Sequence, residues 1–345
     1  MADALLRHFD AHQRSMPWRE TSDPYAIWVS EVMLQQTRVD TVIPYWERWL
    51  DRFPTVDHLA EADLDDVLKE WEGLGYYSRA RNLHRAACMV RERFDGRVPE
   101  TVDTLRELPG VGEYTAGAVA SIAYGVPTPA VDGNVRRVLA RLYDLERPTP
   151  GELRQYAAEL VPADRPGDFN QALMELGATV CTPRSPSCGV CPLAEQCEAR
   201  RLGVQEQRPL PRPRKRIPEE TIRTAVLVRG DGAMLVSRRP EDGLLGGLWE
   251  FPGVRAGEPW AEPIAGWLDA AAQRTELDAV RHAFSHKRVT YRPELSVVPD
   301  RAEYEPEDDT LLWAGPGLRA DLAMPVAQQK IAAAARAHLE ASGAR

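Results

Sequence analysis

The 345-residue chain has few lysines, no long apolar run and no signal-like N-terminus. No run approaches the ~18–20 apolar residues of a membrane span. Residues 1–20 lack the apolar core of a signal peptide, so we expect a cytoplasmic protein that does not enter a membrane. Apolar residues form 43% of the chain and charged residues 28%, a composition typical of a soluble folded protein. The length predicts two domains.

An excess of basic charge is also missing. The chain has 43 basic and 52 acidic side chains and a net charge of −9, which excludes a uniformly basic nucleic-acid-binding protein. Residues 201–221 alone are basic, with six basic against three acidic side chains. If the protein binds DNA, it must use a local surface. We expect Arg79, Arg81, Arg136, Arg137 and the arginines near residue 210 to form a basic strip.

The sequence contains two long regions that differ in the spacing of their apolar residues, joined by a proline-rich segment. Residues 1–202 show apolar residues at three- and four-residue spacing, which predicts an all-helical domain. Residues 203–220 are rich in proline and arginine and are typical of a linker. Residues 221–345 contain short strand-like runs and two helical segments, which predict a smaller α/β domain. The expected fold class is therefore an all-α domain joined to an α/β domain.

Four of the five cysteines lie within seventeen residues. Cys181, Cys188, Cys191 and Cys197 have the spacing C-x6-C-x2-C-x5-C, which in a cytosolic chain indicates metal binding rather than disulfides. Four thiolates can hold zinc or an iron–sulfur cluster. Only one pair is closely spaced, which favours a [4Fe–4S] cluster over zinc. Because all four ligands are cysteines, the metal has no open position and a structural role is expected.

A proline–glycine turn precedes one apolar helix pattern. Leu108-Pro109-Gly110-Val111-Gly112 predicts a hairpin between two helices. Backbone N–H groups of Gly110, Val111 and Gly112 at the start of a helix could bind a DNA phosphate without reading sequence. A simple helix–turn–helix connection is the alternative.

Two carboxylates stand at informative positions. Asp132 precedes a helical pattern and is predicted to cap that helix, which would hold its carboxylate anionic. Glu31 lies among apolar residues in a predicted helix. It is either a surface carboxylate of a first helical turn or a cleft residue whose pKa burial would raise, which would suit a proton donor.

Several motifs in the same order resemble one family. SEVMLQQT, EGLGYYSRARNL, LPGVGEYTAGA, VDGNVRRVLAR and FNQALMELGA, followed by the cysteine cluster, are similar to those of MutY-type adenine DNA glycosylases of the helix–hairpin–helix superfamily. The resemblance covers nearly the whole chain. It implies a helix–hairpin–helix glycosylase domain, a [4Fe–4S] cluster and a Nudix-like α/β domain. It also implies a monomeric base excision repair enzyme that removes adenine paired with 8-oxoguanine or guanine in double-stranded DNA.

The resemblance implies a role for each matching position. Glu31 would protonate adenine N7, and Asp132 would stabilise the positively charged sugar, supported by Tyr114 and Asn134. The other implied positions are Trp18, Arg19 and Glu175 in the adenine pocket, Gln36 and Tyr76 as wedges in the duplex, and Phe284, Ser285 and His286 at 8-oxoguanine. Apart from the resemblance, Tyr76 could be a helix-packing aromatic, and the glutamines could be a solvated helix face.

One position separates related branches. In endonuclease III-like enzymes, a lysine on the helix after the hairpin forms a Schiff base and cuts the strand. The corresponding residue here is Tyr114, and no lysine lies between Lys69 and Lys215. The resemblance therefore implies a monofunctional glycosylase.

The C-terminal domain resembles the Nudix fold through GLLGGLWEFPG. The residues that follow, VRAGEPWAEPIAGWLDAAAQ, lack the acidic set that holds Mg²⁺ in a pyrophosphohydrolase, so we expect a lesion-reading domain.

Two other functions stay open. One is a non-catalytic iron–sulfur protein that binds DNA or senses redox state. The other is a related pyrimidine glycosylase. The presence of both Glu31 and Asp132 favours the enzyme over the binding protein, because binding requires neither carboxylate. Tyr114 and the C-terminal domain argue against the pyrimidine glycosylase.

Overall fold

The chain folds as two units that differ in secondary structure. The structure, a computed structural model, describes residues 1–211, 216–271, 273–298, 306, 309–315 and 322–342. The helical unit consists of Met1–Ala62 and Asn82–Pro213, and the mixed unit consists of Asp63–Arg81 and Arg214–Arg345. Residues 63–81 thus cluster with the C-terminal part of the chain, although their sequence pattern predicts a place in the helical domain. The predicted boundaries, with a linker at 203–220, stay a prediction, and residues 212–215 of that linker lie outside the described residues.

The first 202 residues are helical. From the N-terminus the helices are α1 (Ala2–His12), α2 (Pro24–Met33), α3 (Val39–Arg52), α4 (Val56–Glu61), α5 (Leu64–Glu70), α6 (Ser78–Phe94), α7 (Val102–Leu105), α8 (Glu113–Tyr124), α9 (Gly133–Leu142), α10 (Pro150–Leu160), α11 (Pro166–Thr179) and α12 (Glu198–Arg201). Local signals set several boundaries. Thr149 and Glu152 form a capping box at α10, and α8 ends at Gly125, which adopts a left-handed conformation. None of the helices in the described ranges is long and apolar enough to cross a bilayer.

Helices α2 and α8 form the centre of the helical unit. Residues 25–33 of α2 are all buried, as are residues 115–121 of α8, and the two helices pack together. A helix buried on every side is an interior element. Any polar side chain on α2 is therefore held away from water. A second apolar cluster joins α1, α9, α10 and α11 and reaches the cysteine segment.

The mixed unit contains a mixed sheet covered by helices on both faces. Its strands are β1 (Glu219–Arg229), β2 (Met234–Arg238), β3 (Trp249–Glu250), β4 (Gly253–Arg255), β5 (Gln273–Glu276), β6 (Val280–Ala283), β7 (Arg288–Val298) and β8 (Leu311–Ala314). Its C-terminal helices are α13 (Ile264–Ala270) and α14 (Val326–Ser342). Strands β1 and β7 pair in parallel from Glu219↔Arg288 to Arg229↔Val298, and the other pairings are antiparallel.

The two sheet faces have separate cores. Val226 and Ile331 belong to the cluster under α14, and Leu227 and Trp267 belong to the cluster under α13. Because both faces are covered, residues 225–228 of β1 are all buried, as expected for a central strand with a parallel partner. These features confirm the predicted fold class.

Candidate active site

A cavity of about 380 Å³ lies within the helical unit. We call it the acidic cavity because Glu31, Asp132 and Glu175 all line it. Its wall also includes four other residues singled out from the sequence, namely Trp18, Arg19, Tyr114 and Asn134. Residues far apart in sequence are thus brought to one site by α2, α8, α9, α11 and the segment between α1 and α2.

Glu31 is a buried carboxyl at the inner end of α2. Glu31 is only 6% exposed. Its Oε2 accepts a hydrogen bond from Tyr114 Oη, and the two oxygens lie 2.5 Å apart. Burial raises the pKa of Glu31 to about 7; the Tyr114 hydrogen bond opposes this rise, and the nearby charge of Asp132 adds to it. Burial also raises the pKa of Tyr114, so the phenol remains a donor. The structure thus places Glu31 in a cleft rather than on the surface.

Asp132 is the N-cap of α9. Its Oδ1 accepts from Val135 N at 2.7 Å, and its Oδ2 accepts from Asn134 Nδ2 at 2.9 Å. The predicted cap is therefore present. Burial outweighs these hydrogen bonds and raises the pKa of Asp132, so the cap does not lower it, and an anionic Asp132 stays a prediction.

The backbone that leads to Asp132 is held by a residue that sequence reasoning missed. Asn170 of α11 is 1% exposed, accepts from Ala130 N at 3.1 Å, and donates to Thr128 O at 2.8 Å and to Ser121 Oγ at 2.8 Å. On the other side, a Cβ on Gly117 would lie 2.3 Å from Pro129 O. Residues 128–130 are therefore fixed between α8 and α11. In the sequence, Asn170 is marked only by its place in the FNQALMELGA motif.

A chain of hydrogen bonds joins Asp132 to the cysteine segment. Asn134, which donates to Asp132, accepts from Arg137 Nη2 at 2.9 Å through its Oδ1. Arg137 Nε donates to Cys181 O at 2.8 Å. Arg137 thus donates hydrogen bonds within the helical unit, and its place in the expected basic strip stays a prediction.

Two arginines clamp Glu175. Arg14 donates to Oε1 from Nε at 2.7 Å and to Oε2 from Nη2 at 2.9 Å, and Arg19 Nη2 donates to Oε2 at 3.0 Å. Burial alone would raise the pKa of Glu175, but the hydrogen bonds and charges of both arginines outweigh it and lower that pKa. Glu175 is therefore an anionic acceptor at neutral pH. Arg14 was not singled out from the sequence.

Gln36 lines a neighbouring cavity of about 690 Å³ rather than the acidic cavity. Tyr114 and Asp132 border both cavities, and Arg136 lines the second one. Gln36 has φ of 59°, a left-handed conformation that is uncommon for a residue with a Cβ.

The predicted hairpin connects α7 and α8. Val111 N donates to Leu108 O at 3.1 Å, so this amide serves the turn itself and is not available to a phosphate. For Gly110 and Gly112, no N–H hydrogen bond is found within the part of the chain that the structure describes. Gly112 is the N-cap of α8, so its amide lies at a helix N-terminus.

The four clustered thiols fit a multinuclear cluster. Burial raises the pKa of Cys191 to about 11, and the nearby thiols Cys181, Cys197 and Cys188 raise it further, which shows that the four lie together. Among the described residues, no group of three or more His, Cys, Asp or Glu side chains is already arranged to hold a metal ion. Arg141 Nη1 also donates to Cys181 Sγ at 3.3 Å.

A further cavity, of about 320 Å³, lies within the mixed unit. We call it the aromatic cavity because Tyr76 and Phe284 line it together with Ser285 and His286. Phe284, Ser285 and His286 form the tip of the β6–β7 hairpin, which Phe284 N closes by donating to Lys287 O at 2.8 Å. The loops of Gly243–Leu245 and Pro325–Val326 complete the wall.

Arg79 and Arg81 serve the mixed unit rather than an open basic surface. Arg79 is 8% exposed, donates to Leu74 O and Gly75 O, and lies over the rings of Trp71 and Tyr76. Arg81 Nη1 donates to Gly246 O at 2.5 Å. Both guanidinium groups thus donate to backbone carbonyls, and the expected basic strip stays a prediction.

Comparison with known proteins identifies three segments of the chain. Residues 29–163 match the family model of the HhH-GPD superfamily of base excision DNA repair proteins, and residues 223–334 match a NUDIX domain. Residues 181–197 match the iron–sulfur binding domain of endonuclease III, which confirms the predicted cluster over zinc.

Named relatives agree with these matches. The adenine DNA glycosylase of Homo sapiens is 40% identical over 84% of this chain, which spans 65% of the human protein. That of Buchnera aphidicola is 31% identical over 92% of this chain and 93% of its own length.

Solved structures resemble part of the chain. A thermostable thymine-DNA glycosylase has a TM-score of 0.55 and 30% identity, covering 58% of this chain and 95% of its own. An endonuclease III–DNA complex has a TM-score of 0.52 and 25% identity over 59% of this chain and 95% of its own. The family model, the relatives and these folds agree, and the chain belongs to the adenine DNA glycosylase family of base excision repair.

Proposed function

We propose that this protein hydrolyses the N-glycosidic bond of adenine that is mispaired with 8-oxoguanine or guanine in double-stranded DNA. One observation carries the proposal: Glu31 and Asp132 line the same cavity, and burial there raises the pKa of Glu31 to about 7. A DNA-binding or redox-sensing protein would have no use for a buried acid beside a second carboxylate.

The chemistry follows from the positions of the two carboxyl groups. The neutral Glu31 donates its proton to adenine N7, which makes the base a better leaving group. The C1′–N9 bond then breaks, and its electron pair leaves with the base. Asp132, ionised, stabilises the positive charge that develops on the sugar. Water adds to C1′ and returns a proton to Glu31, so the enzyme is restored.

The rest of the acidic cavity would hold the everted base. Glu175 is an anionic acceptor that suits the exocyclic amino group of adenine, and Trp18 and Arg19 line the wall beside it. Tyr114 and Asn134 would hold Glu31 and Asp132 through the hydrogen bonds described above. Base eversion costs a few kcal/mol, and Gln36 and Tyr76 would fill the space the base leaves.

The aromatic cavity would read the base opposite adenine. Tyr76 and Phe284 offer aromatic faces, and Ser285, which is exposed at the hairpin tip, offers a hydroxyl that can donate or accept. His286 would contact the same base. The N–H groups of Gly110 and Gly112 would bind a phosphate, and Cys181, Cys188, Cys191 and Cys197 would hold a [4Fe–4S] cluster that keeps their loop folded. The protein would act as a monomer at the nucleoid of a bacterial cytoplasm.

The substrate is tested with a panel of duplexes. Single-turnover base release is measured on A:8-oxoguanine, A:G, T:G and A:T duplexes. We expect release of adenine from the first two and none from the others. Release of thymine from T:G would instead support a pyrimidine glycosylase, the class to which one structural neighbour belongs. Binding without release from any duplex would support the non-catalytic alternative.

The monofunctional mechanism has a separate test. Because Tyr114 stands on α8 and lysine is absent between Lys69 and Lys215, borohydride should not trap the protein on abasic DNA. Efficient trapping would reject this part of the proposal.

A further inference from the structure

The loop that carries Tyr76 is held in an unusual conformation. Tyr76 has φ of 50°, and Gly73 and Gly75 also have positive φ. Bonds within the segment maintain it: Trp71 Nε1 donates to Gly75 O at 3.0 Å, and Gly73 N donates to Tyr77 Oη at 3.2 Å. A left-handed tyrosine persists only where its surroundings fix it. The position of this side chain is therefore set by neighbouring contacts rather than by local preference.

Glu72, before this loop, is tied to the segment that leads into α14. Glu72 Oε1 accepts from Met324 N at 2.8 Å, and Glu72 Oε2 accepts from Lys69 Nζ at 2.9 Å. Lys69 in turn donates to Leu322 O at 3.3 Å. Met324 is 4% exposed, so its amide would lose its partner in a dry environment if Glu72 moved.

Arg81, after this loop, is tied to a different segment of the same unit. Its Nη1 donates to Gly246 O at 2.5 Å. The acceptor loop is closely packed: a Cβ on Gly246 would lie 2.1 Å from Glu241 O, and Arg239 Nε donates to Leu244 O at 2.9 Å. The two segments that hold the ends of the Tyr76 loop also line the aromatic cavity, at Gly243–Leu245 and Pro325–Val326.

We propose that Glu72 and Arg81 are positioning residues that fix the Tyr76 loop to the two walls of the aromatic cavity and so determine its selectivity for the base opposite adenine. The inference rests on the proposed function and deepens it. Neither residue contacts the reacting atoms. Each acts through a backbone group, Met324 N or Gly246 O, that keeps Tyr76 and Phe284 in one arrangement.

The test compares truncating and conservative variants. Glu72→Ala removes the acceptor for Met324 N, and Arg81→Met removes the donor to Gly246 O. Glu72→Gln and Arg81→Lys each retain a group able to make the same hydrogen bond. Single-turnover adenine release is measured on A:8-oxoguanine and A:G duplexes at several salt concentrations. We expect each truncation to reduce the ratio of the two rates about fivefold or more, as for loss of one hydrogen bond, and the conservative variants to restore most of it. Arg85→Met, on the exposed face of α6, is the matched control and should leave the ratio unchanged.

A second readout does not depend on activity. Hydrogen exchange of the amides at residues 73–77 should accelerate in both truncated variants and remain slow in Arg85→Met. An unchanged rate ratio with unchanged exchange would overturn the inference. The inference would also be overturned if adenine release slowed equally on both duplexes and the slope of its logarithm against log salt concentration fell by about one. That is the behaviour expected of a residue that contacts a phosphate. If the wild-type protein released no adenine, the proposed function would fail, whereas the exchange experiment would still test the positioning role.

Discussion

The two cavities differ in the chemistry of their walls. The wall of the acidic cavity includes four carboxylates and three arginines, and burial or ion pairing shifts the pKa of Glu31, Asp132 and Glu175. The aromatic cavity is lined mainly by rings, glycines and leucines. A site that moves protons needs titratable groups taken out of water, whereas a site that reads shape needs rigid faces and a few polar atoms. Under the proposed function, catalysis and recognition are therefore assigned to separate parts of the chain.

The contrast is sharpest at Glu31. Replacing it by Gln keeps the size of the side chain and removes the proton donor, so single-turnover adenine release should fall about 10³-fold, as for loss of a general acid. Binding to the mispaired duplex should remain. Glu47→Gln, an exposed carboxylate on α3, is the matched control and should retain the wild-type rate. Adenine release by Glu31→Gln at the wild-type rate would contradict the assignment of catalysis to the acidic cavity.

The pH dependence of the excision rate should follow from the ionisation of the same two carboxyl groups, Glu31 and Asp132. Glu31 must be neutral and Asp132 ionised, so the excision rate should decline above pH 7 by up to tenfold per unit and also decline in acid. Because the pKa of Glu31 is about 7 when folded and ordinarily about 4.5, the folded protein binds the extra proton between these values. Its free energy of unfolding should therefore fall by about 3 kcal/mol as pH rises through this window. Glu31→Gln should lack this pH-dependent loss in urea titrations, and an identical loss in that variant would contradict the assignment.

Backbone support for Asp132 predicts a moderate effect. Gly117→Ala would place a Cβ against Pro129 O and displace residues 128–130, so excision should slow about tenfold and stability should fall by about 1–3 kcal/mol. Gly151→Ala is the control, because a Cβ there meets only Thr149 Oγ1 at 4.0 Å. Rates and thermal unfolding are compared for both variants. Equal, small effects would show that this segment does not position Asp132.

The smallest effect is expected in the aromatic cavity. Ser285→Ala removes one hydroxyl, so the preference for 8-oxoguanine over guanine opposite adenine should fall about fivefold, with little change on A:G. The ratio of the two single-turnover rates measures it. Ser342→Ala, at the exposed end of α14, serves as the control. A loss of equal size on both duplexes would assign Ser285 a general role.

Local patterns predicted the elements and part of the acidic cavity. Asp132 is an N-cap as its position before an apolar-periodic helix indicated, and the hairpin before α8 follows from Pro109 and its glycines. Those features depend on neighbouring residues in the chain. The pKa of Asp132 did not follow, because its burial comes from helices distant in sequence.

Tertiary contacts account for the other differences. Arg79 and Arg137 looked like surface cations, yet each reaches backbone carbonyls that only the folded chain presents. Asn170 and Arg14 carry no local pattern that marks them, since their partners lie about 40 and 160 residues away. Gln36 was grouped with the wedges through the family resemblance, and its role stays a prediction.

The central claim concerns which base enters the acidic cavity and what touches it. The direct measurement is a crystal structure of the Glu31→Gln variant with a duplex that contains adenine opposite 8-oxoguanine. We predict an everted adenine with N7 within hydrogen-bonding distance of side chain 31 and the sugar beside Asp132. An adenine that remains stacked in the duplex, or a different base in the cavity, would contradict the account.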